Sequence, residues 1–131
     1  MADVIPSYIE LKKATQEIKK HIQQSKSKRY ISLDLFYAVE CGLKALLLQE
    51  NKHFREEYKT HDLNQLARKC KFKLEIPNKI NTPNNPIKSF GVSKIHEVLR
   101  YGVYVKQKEL EDFNNKISLA YEKILTELSR I

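Results

Sequence analysis

Four short stretches of this sequence carry side chains able to move protons or hold anions. In Thr60-His61-Asp62 an imidazole stands beside a carboxylate, the arrangement of a proton donor oriented by its neighbour. Imidazole is the side chain that changes charge close to neutral pH. The same residues also suit a helix start, with Thr60 as N-cap, Asp62 in the first turn and the His61 ring bonded to a neighbouring loop. Arg100-Tyr101 pairs a guanidinium that forks onto phosphate with a ring that stacks on a base. Its structural alternative is a packed Tyr and a surface Arg covering a helix end. His96-Glu97 reads as solvated charge, and His96 gains interest if it faces Arg100 one turn on, because steps of four share a helix face. Glu40 lies in an otherwise apolar run. A carboxylate there serves as a general base, or as a core group paired with Lys44 or with a cation from the first helix.

These groups sit in a basic chain. Its 131 residues carry 24 Lys+Arg against 16 Asp+Glu, a net charge of +8. Residues 1–30 hold seven basic and three acidic groups, residues 63–100 eight and two, and the remaining segments balance or lean acidic. The surplus around Arg68, Lys69, Lys71, Lys73, Lys79, Lys88, Lys94 and Arg100 would attract RNA or another polyanion. Lysine on exposed helix faces also serves solubility alone. With 41% hydrophobic residues, 3 Gly and 4 Pro, collagen-like and low-complexity classes are excluded and a turn-rich β-barrel is disfavoured. No apolar run approaches the roughly 20 residues that span a bilayer. The first residues lack the basic-then-apolar pattern of a secretory signal, so a cytoplasmic protein without membrane contact is expected. Cys41 and Cys70 stand apart and read as two buried thiols. His21, His53, His61 and His96 lack the paired spacing of a zinc site, and no metal or cofactor is expected.

Helices must position these groups. Val4, Tyr8, Leu11, Ile18 and Ile22 form one apolar stripe and predict a helix over residues 6–24, with Pro6 in its first turn. The polar residues 25–29 predict a loop. Residues 32–51 are apolar on nearly every face, as in a buried central helix, and Gly42 within them implies a close helix crossing. A charged connection over residues 52–59 leads to a short third helix, capped by Thr60, with Leu63, Leu66, Ala67 and Cys70 on one face. Residues 73–92, with Pro77, Pro83 and Pro86 among Asn78, Asn81, Asn84, Asn85 and Gly91, predict turns and a long loop. Residues 93–101 fit a short helix capped by Ser93 and ended by Gly102, or an extended segment. Leu110, Phe113, Ile117, Ala120, Tyr121, Ile124, Leu128 and Ile131 step by three and four and predict one amphipathic helix over residues 108–129. The sum is an all-α fold: an up-and-down bundle of four to five helices in a single domain over residues 1–131.

Three stretches in this order resemble the HEPN superfamily, small helical bundles of prokaryotic toxin–antitoxin, phage-defence and RNA-processing proteins. Ala38, Glu40, Leu43, Lys44 and Ala45 follow the pattern Ala-x-Glu-x-x-Leu-Lys-Ala of that family's central helix. His61-Asp62-Leu63 is similar to its His-Asp-Leu helix start. Leu99-Arg100-Tyr101-Gly102, followed by Lys108-Glu109-Leu110, is similar to its Arg-Tyr segment before the last helix. The likeness covers residues 33–128. It implies a HEPN-like helical bundle, a homodimer, and in many members a metal-independent ribonuclease. There an Arg and a His roughly four to six residues apart meet across the dimer. The His exchanges a proton with the ribose 2′-hydroxyl or the leaving oxygen, and the Arg stabilises the charged phosphorane.

This chain departs from that pattern. Arg100 stands at the matching position, but residues 101–106 contain no His and the nearest, His96, precedes it. Arg55 and His61 give a literal spacing match elsewhere, before the third helix. The expectation is therefore RNA binding or metal-independent RNA cleavage in a defence or toxin–antitoxin setting. Arg100, His61 and Arg55 are the candidate catalytic residues, and Arg100, Tyr101, Lys69, Lys71 and Lys94 are the candidate RNA contacts. Non-catalytic relatives supply the alternative, an interaction subunit or nucleotide-binding module that partners another protein such as a nucleotidyltransferase.

Overall fold

Residues 32–51 are apolar on nearly every face, and the rest of the fold packs around them. The computed structural model describes residues 6–24, 27–51, 53–74, 76, 79–82 and 88–130, the side chains of 17–24, 51, 82 and 88 excepted. In chain order the elements are α1 (Tyr8–Gln24), α2 (Lys28–Asn51), a 3-10 turn (Glu56–Tyr58), α3 (Leu63–Lys69), β1 (Lys79–Thr82), β2 (Lys88–Gly91), a second 3-10 turn (Val92–Lys94), α4 (Ile95–Arg100) and α5 (Gln107–Ser129). The fold is mostly helical, as expected. The predicted positions of Val4, Pro77, Asn78, Pro83, Asn84, Asn85, Pro86 and Ile131 lie outside the described residues, as do the side chains of Ile18 and Ile22.

Helix α2 is the hub, touching α1, α3, α4 and α5. Phe36, Ala38, Val39, Leu43, Ala45 and Leu47 are all buried along it. Helix α1 runs antiparallel to α2, since its start shares a cavity with Leu48 and Gln49 and its Thr15 lies beside Gly42. Helix α5 runs parallel to α2. Near their beginnings Asn114 Nδ2 donates to Ser32 Oγ at 2.8 Å, and ten residues further along each helix Ile124 meets Gly42. Between α2 and α5 the described elements are short helices and a two-stranded antiparallel sheet, because no long apolar stripe exists there to build a fourth full-length helix. Phe113, Ile117, Tyr121, Ile124 and Leu128 bury the predicted stripe of α5, each contributing about 1.5–3 kcal/mol if fully exposed in the unfolded chain.

Several boundaries differ from expectation, each for a local reason. Ser7, and not Pro6, opens α1: its Oγ accepts from the Glu10 N–H at 3.2 Å while Glu10 Oε1 accepts from the Ser7 N–H at 3.1 Å, a capping box. Helix α2 begins at Lys28, a turn before the predicted start. Arg29 is drawn into it because its guanidinium donates to the carbonyls of Val98 (3.0 Å), Leu99 (3.4 Å) and Val103 (2.7 Å). Asp62, and not Thr60, caps α3, because its Oδ1 accepts from the Gln65 N–H three residues on, at 3.1 Å. Thr60 Oγ1 instead accepts from the Asp62 N–H. Within the predicted long loop lies an antiparallel hairpin, pairing Lys79 with Gly91 and Ile80 with Phe90. Ile80 is buried from it and anchors it to the core. A 3-10 turn precedes α4, so Ser93 caps nothing. Gly102 ends α4 as predicted, at φ +72°, with the Val103 N–H returning to the Val98 carbonyl at 3.1 Å.

Gly42 is where α1, α2 and α5 approach most closely. A Cβ there would collide with the Cγ2 of Ile124 and lie 3.3 Å from that of Thr15. Gly42→Ala is expected to destabilise the fold by a net ~1–2 kcal/mol, overpacking outweighing the helix-propensity gain of Ala. Urea unfolding reads this as a lowered midpoint at constant m-value, and an unchanged or raised midpoint would contradict the crossing.

Candidate active site

Three segments converge on one face of α2. Tyr37, Glu40 and Lys44 stand three and four residues apart there, so their side chains share that face. Helix α4, packed on α2, supplies His96 and Arg100, also four apart. The segment ahead of α3 supplies His61. Its place is set by the turn at Thr60 and the cap at Asp62, which stop the chain from running straight into the helix.

The Glu40 carboxylate is at the centre. It is 8% exposed, and burying a carboxylate is costly unless it is paired. Glu40 Oε1 lies 2.7 Å from His61 Nδ1, and Oε2 lies 3.1 Å from Lys44 Nζ. An ionised carboxylate only accepts, so His61 Nδ1–H is the donor and Nε2 is left to exchange protons with a ligand. The His61 side chain is 49% exposed, which gives that nitrogen access to solvent. Beneath it the His96 ring lies 4.1 Å away, centroid to centroid, at 42°. His96 is only 4% exposed and also packs on Phe36 and Tyr37. Burial holds the His96 proton affinity below the usual histidine range, and the positive charges of His61 and Arg100 add to this against the opposing pull of Glu97 and Glu40. The Tyr37 hydroxyl accepts from Arg100 Nη2, which strengthens the hold of Arg100 on its proton. The guanidinium lies 5.8 Å from the Tyr37 ring centroid and 5.7 Å from that of Tyr101.

A groove of about 420 Å³ opens beside His61. Glu40, Lys44, Lys59 and Thr60 supply its polar lining, and Leu11 and Phe54 its apolar lining. The arrangement offers an acid–base imidazole oriented by a carboxylate, ammonium groups beside it and an exposed guanidinium farther along α4. Among the described residues no group of three or more His, Cys, Asp or Glu is placed to hold a metal ion.

The candidates named from the sequence separate. His61 and Arg100 belong to one cluster, joined through His96 and Tyr37. Tyr101 flanks it and is 67% exposed. Arg55 is exposed and pairs with Glu57 at 3.7 Å, away from the His61 contact. Lys69 pairs with the same Glu57 at 3.4 Å, and Lys94 with Glu97 at 3.8 Å. Lys71, left-handed at φ +55° where α3 ends, lines a different groove with Glu50 and Glu127. The cations beside His61 are instead Lys44 and Lys59. The carboxylate on His61 is Glu40, 21 residues back, and not the adjacent Asp62. Cys41 and Cys70 are free and half-buried. Cys70 Sγ donates to the Leu43 carbonyl, and burial pushes its thiol up to about 12.

The sequence reading paired Glu40 with Lys44 correctly but missed Glu40 as the partner of His61, and it took His96 as solvated. One signal was present for the first: a buried carboxylate with one local cation has an acceptor oxygen to spare. In comparisons with protein-family models, curated proteins and solved structures, nothing matches the chain.

The state of His96 predicts a pH dependence. Its folded affinity for a proton lies below the unfolded value near about 6.5, so on acidification the unfolded chain binds this proton first. The stability tied to neutral His96 is full above that pH and is lost as pH falls below it. Thermal midpoints measured from pH 7.5 to 5 should therefore fall, and fall less in His96→Phe; equal slopes in the two proteins would refute this assignment.

Proposed function

We propose that this chain is a HEPN-like, RNA-binding protein of a bacterial defence or toxin–antitoxin type, working in the cytoplasm as a homodimer and cutting RNA without a metal. The observation that carries the reading is the 2.7 Å contact of Glu40 Oε1 with His61 Nδ1, in a cluster that continues through His96 and Tyr37 to Arg100. Glu40 fixes the His61 ring and its tautomer. His61 Nε2 takes the proton of a ribose 2′-hydroxyl as that oxygen attacks phosphorus, or returns it to the departing 5′-oxygen. Arg100, charged and held by Tyr37, supplies the fork for a phosphate. Lys44 and Lys59 line the groove, paired with Glu40 at 3.1 Å and with Glu56 at 3.2 Å. The residues that resemble the family's motifs, Glu40, Lys44, His61 and Arg100, are the ones gathered in this cluster, which supports the resemblance as well as the chemistry.

A second reading is favoured by a different observation. Tyr30, Tyr101 and Tyr104 are each more than half exposed. Arg29, next to Tyr30, bonds carbonyls on both sides of Tyr101, so the start of α2 meets the end of α4, the two segments that carry these residues. Exposed tyrosines are interface material. In this reading the chain is a non-catalytic subunit, or a nucleotide-binding module, docked on a partner such as a nucleotidyltransferase.

Incubation of the purified chain with single-stranded RNA at low salt and in a chelator separates the two. The first reading expects cleavage that drops by about 10²-fold or more in His61→Ala and in Arg100→Ala. It also expects binding that weakens steeply with salt. A wild-type protein that neither binds nor cuts RNA under these conditions contradicts it.

A further inference from the structure

The structure assigns a second histidine to the site: we propose that His96 is a positioning residue whose buried ring, 4.1 Å from His61 and tilted 42° to it, supports that ring against Glu40 and limits the two imidazoles to one positive charge between them. The inference deepens the acid–base reading of His61 and rests on it.

Geometry carries it in two ways. First, two imidazoles at this distance are strongly coupled, so charging both places like charges in contact. Second, His96 Nδ1 is fully enclosed and has no hydrogen-bond partner among the described residues. In the neutral ring this nitrogen can be a bare acceptor, a modest cost. In the charged ring both nitrogens carry hydrogens, and one N–H would be buried with nothing to accept it.

The groups facing His96 agree. From α2 come the Phe36 and Tyr37 rings and the Glu40 carboxylate, whose charge is already matched by Lys44 and shared with His61. From the segment ahead of α3 comes His61. Its own helix supplies Arg100, which opposes a charge on His96, and Glu97, which favours one but pairs with Lys94 at 3.8 Å. The one positive charge the pair can hold therefore belongs on His61, the ring that Glu40 and solvent reach. His96 stays neutral and acts through His61, presenting a flat surface that leaves the ring little freedom beyond the plane Glu40 selects. A second positive charge, forced in at low pH, drives the rings apart and ends the acid–base cycle.

The test is a side-chain NMR titration of the histidines in the full chain. His61 should take up its proton first and His96 at lower pH. In His61→Asn the like charge is gone and Glu40 is released, and both changes raise the His96 midpoint, by about one pH unit or more, a tenfold gain in proton affinity. Arg100→Gln, an exposed substitution that spares the fold, should raise it in the same direction by less. A His96 midpoint unmoved in both variants overturns the proposal, as does a wild-type protein in which His96 protonates before His61. In RNA cleavage, His96→Phe keeps a ring against His61, and the acid limb of the pH profile should change from two-proton to one-proton steepness; an acid limb identical to wild type also overturns it. The titrations require no RNA. Coupled titration in a protein that cuts no RNA would remove the proposed function and leave the proton sharing standing.

Discussion

A carboxylate in the middle of an apolar helix must be neutralised where it stands, and much of this structure follows from how Glu40 is satisfied. Removing an ion from water costs several kcal/mol even after relaxation, and only close partners with good geometry offset it. Lys44, one turn along α2, supplies one such partner at 3.1 Å. The second oxygen needs a donor from elsewhere, and His61 supplies it at 2.7 Å. That bond ties the segment ahead of α3 to the centre of α2. With His61 held, Asp62 falls where its side chain can cap α3, so the helix start is fixed by a contact made outside the helix.

The opposite wall of the site is held by backbone chemistry. Helix α4 has only six residues, too short to be stable alone. Its end is closed by Gly102 in a left-handed conformation and by the guanidinium of Arg29, which donates to the carbonyls of Val98, Leu99 and Val103. With α4 so anchored to the start of α2, His96 faces inward under His61 and Arg100 faces outward beside Tyr37. The resulting line runs from the Lys44 ammonium through the Glu40 carboxylate and the two imidazoles to the Arg100 guanidinium. A chain with a net charge of +8 thus keeps one carboxylate at the point where a proton is to be held.

Elements with a long period were legible in the sequence, and contacts between distant segments were not. The stripe from Leu110 to Leu128 defined α5 to within a residue of its start, and the all-round apolarity of α2 placed it at the centre with Gly42 at a crossing. The hairpin was not visible, because strands of four residues, with Ile80 the one buried side chain among their described residues, leave no pattern among flanking prolines. Thr60 and Asp62 are both good cap types, and only the Gln65 N–H decides between them. Of the site, His61, Arg100 and Tyr101 could be named from their types and from the resemblance. Their joining through Glu40, His96 and Tyr37 depends on α2, α4 and the α3 entry packing together, across separations that no local period encodes.

The most direct test of this account is a double-mutant cycle on Glu40→Gln and His61→Asn, read as unfolding free energy at pH 7. If the buried carboxylate and the imidazole are bound to one another as described, the two substitutions together cost less than the sum of each alone, with a coupling of about 1 kcal/mol. Costs that simply add would mean that Glu40 does not hold His61, and the acid–base site built on that contact would lose its foundation.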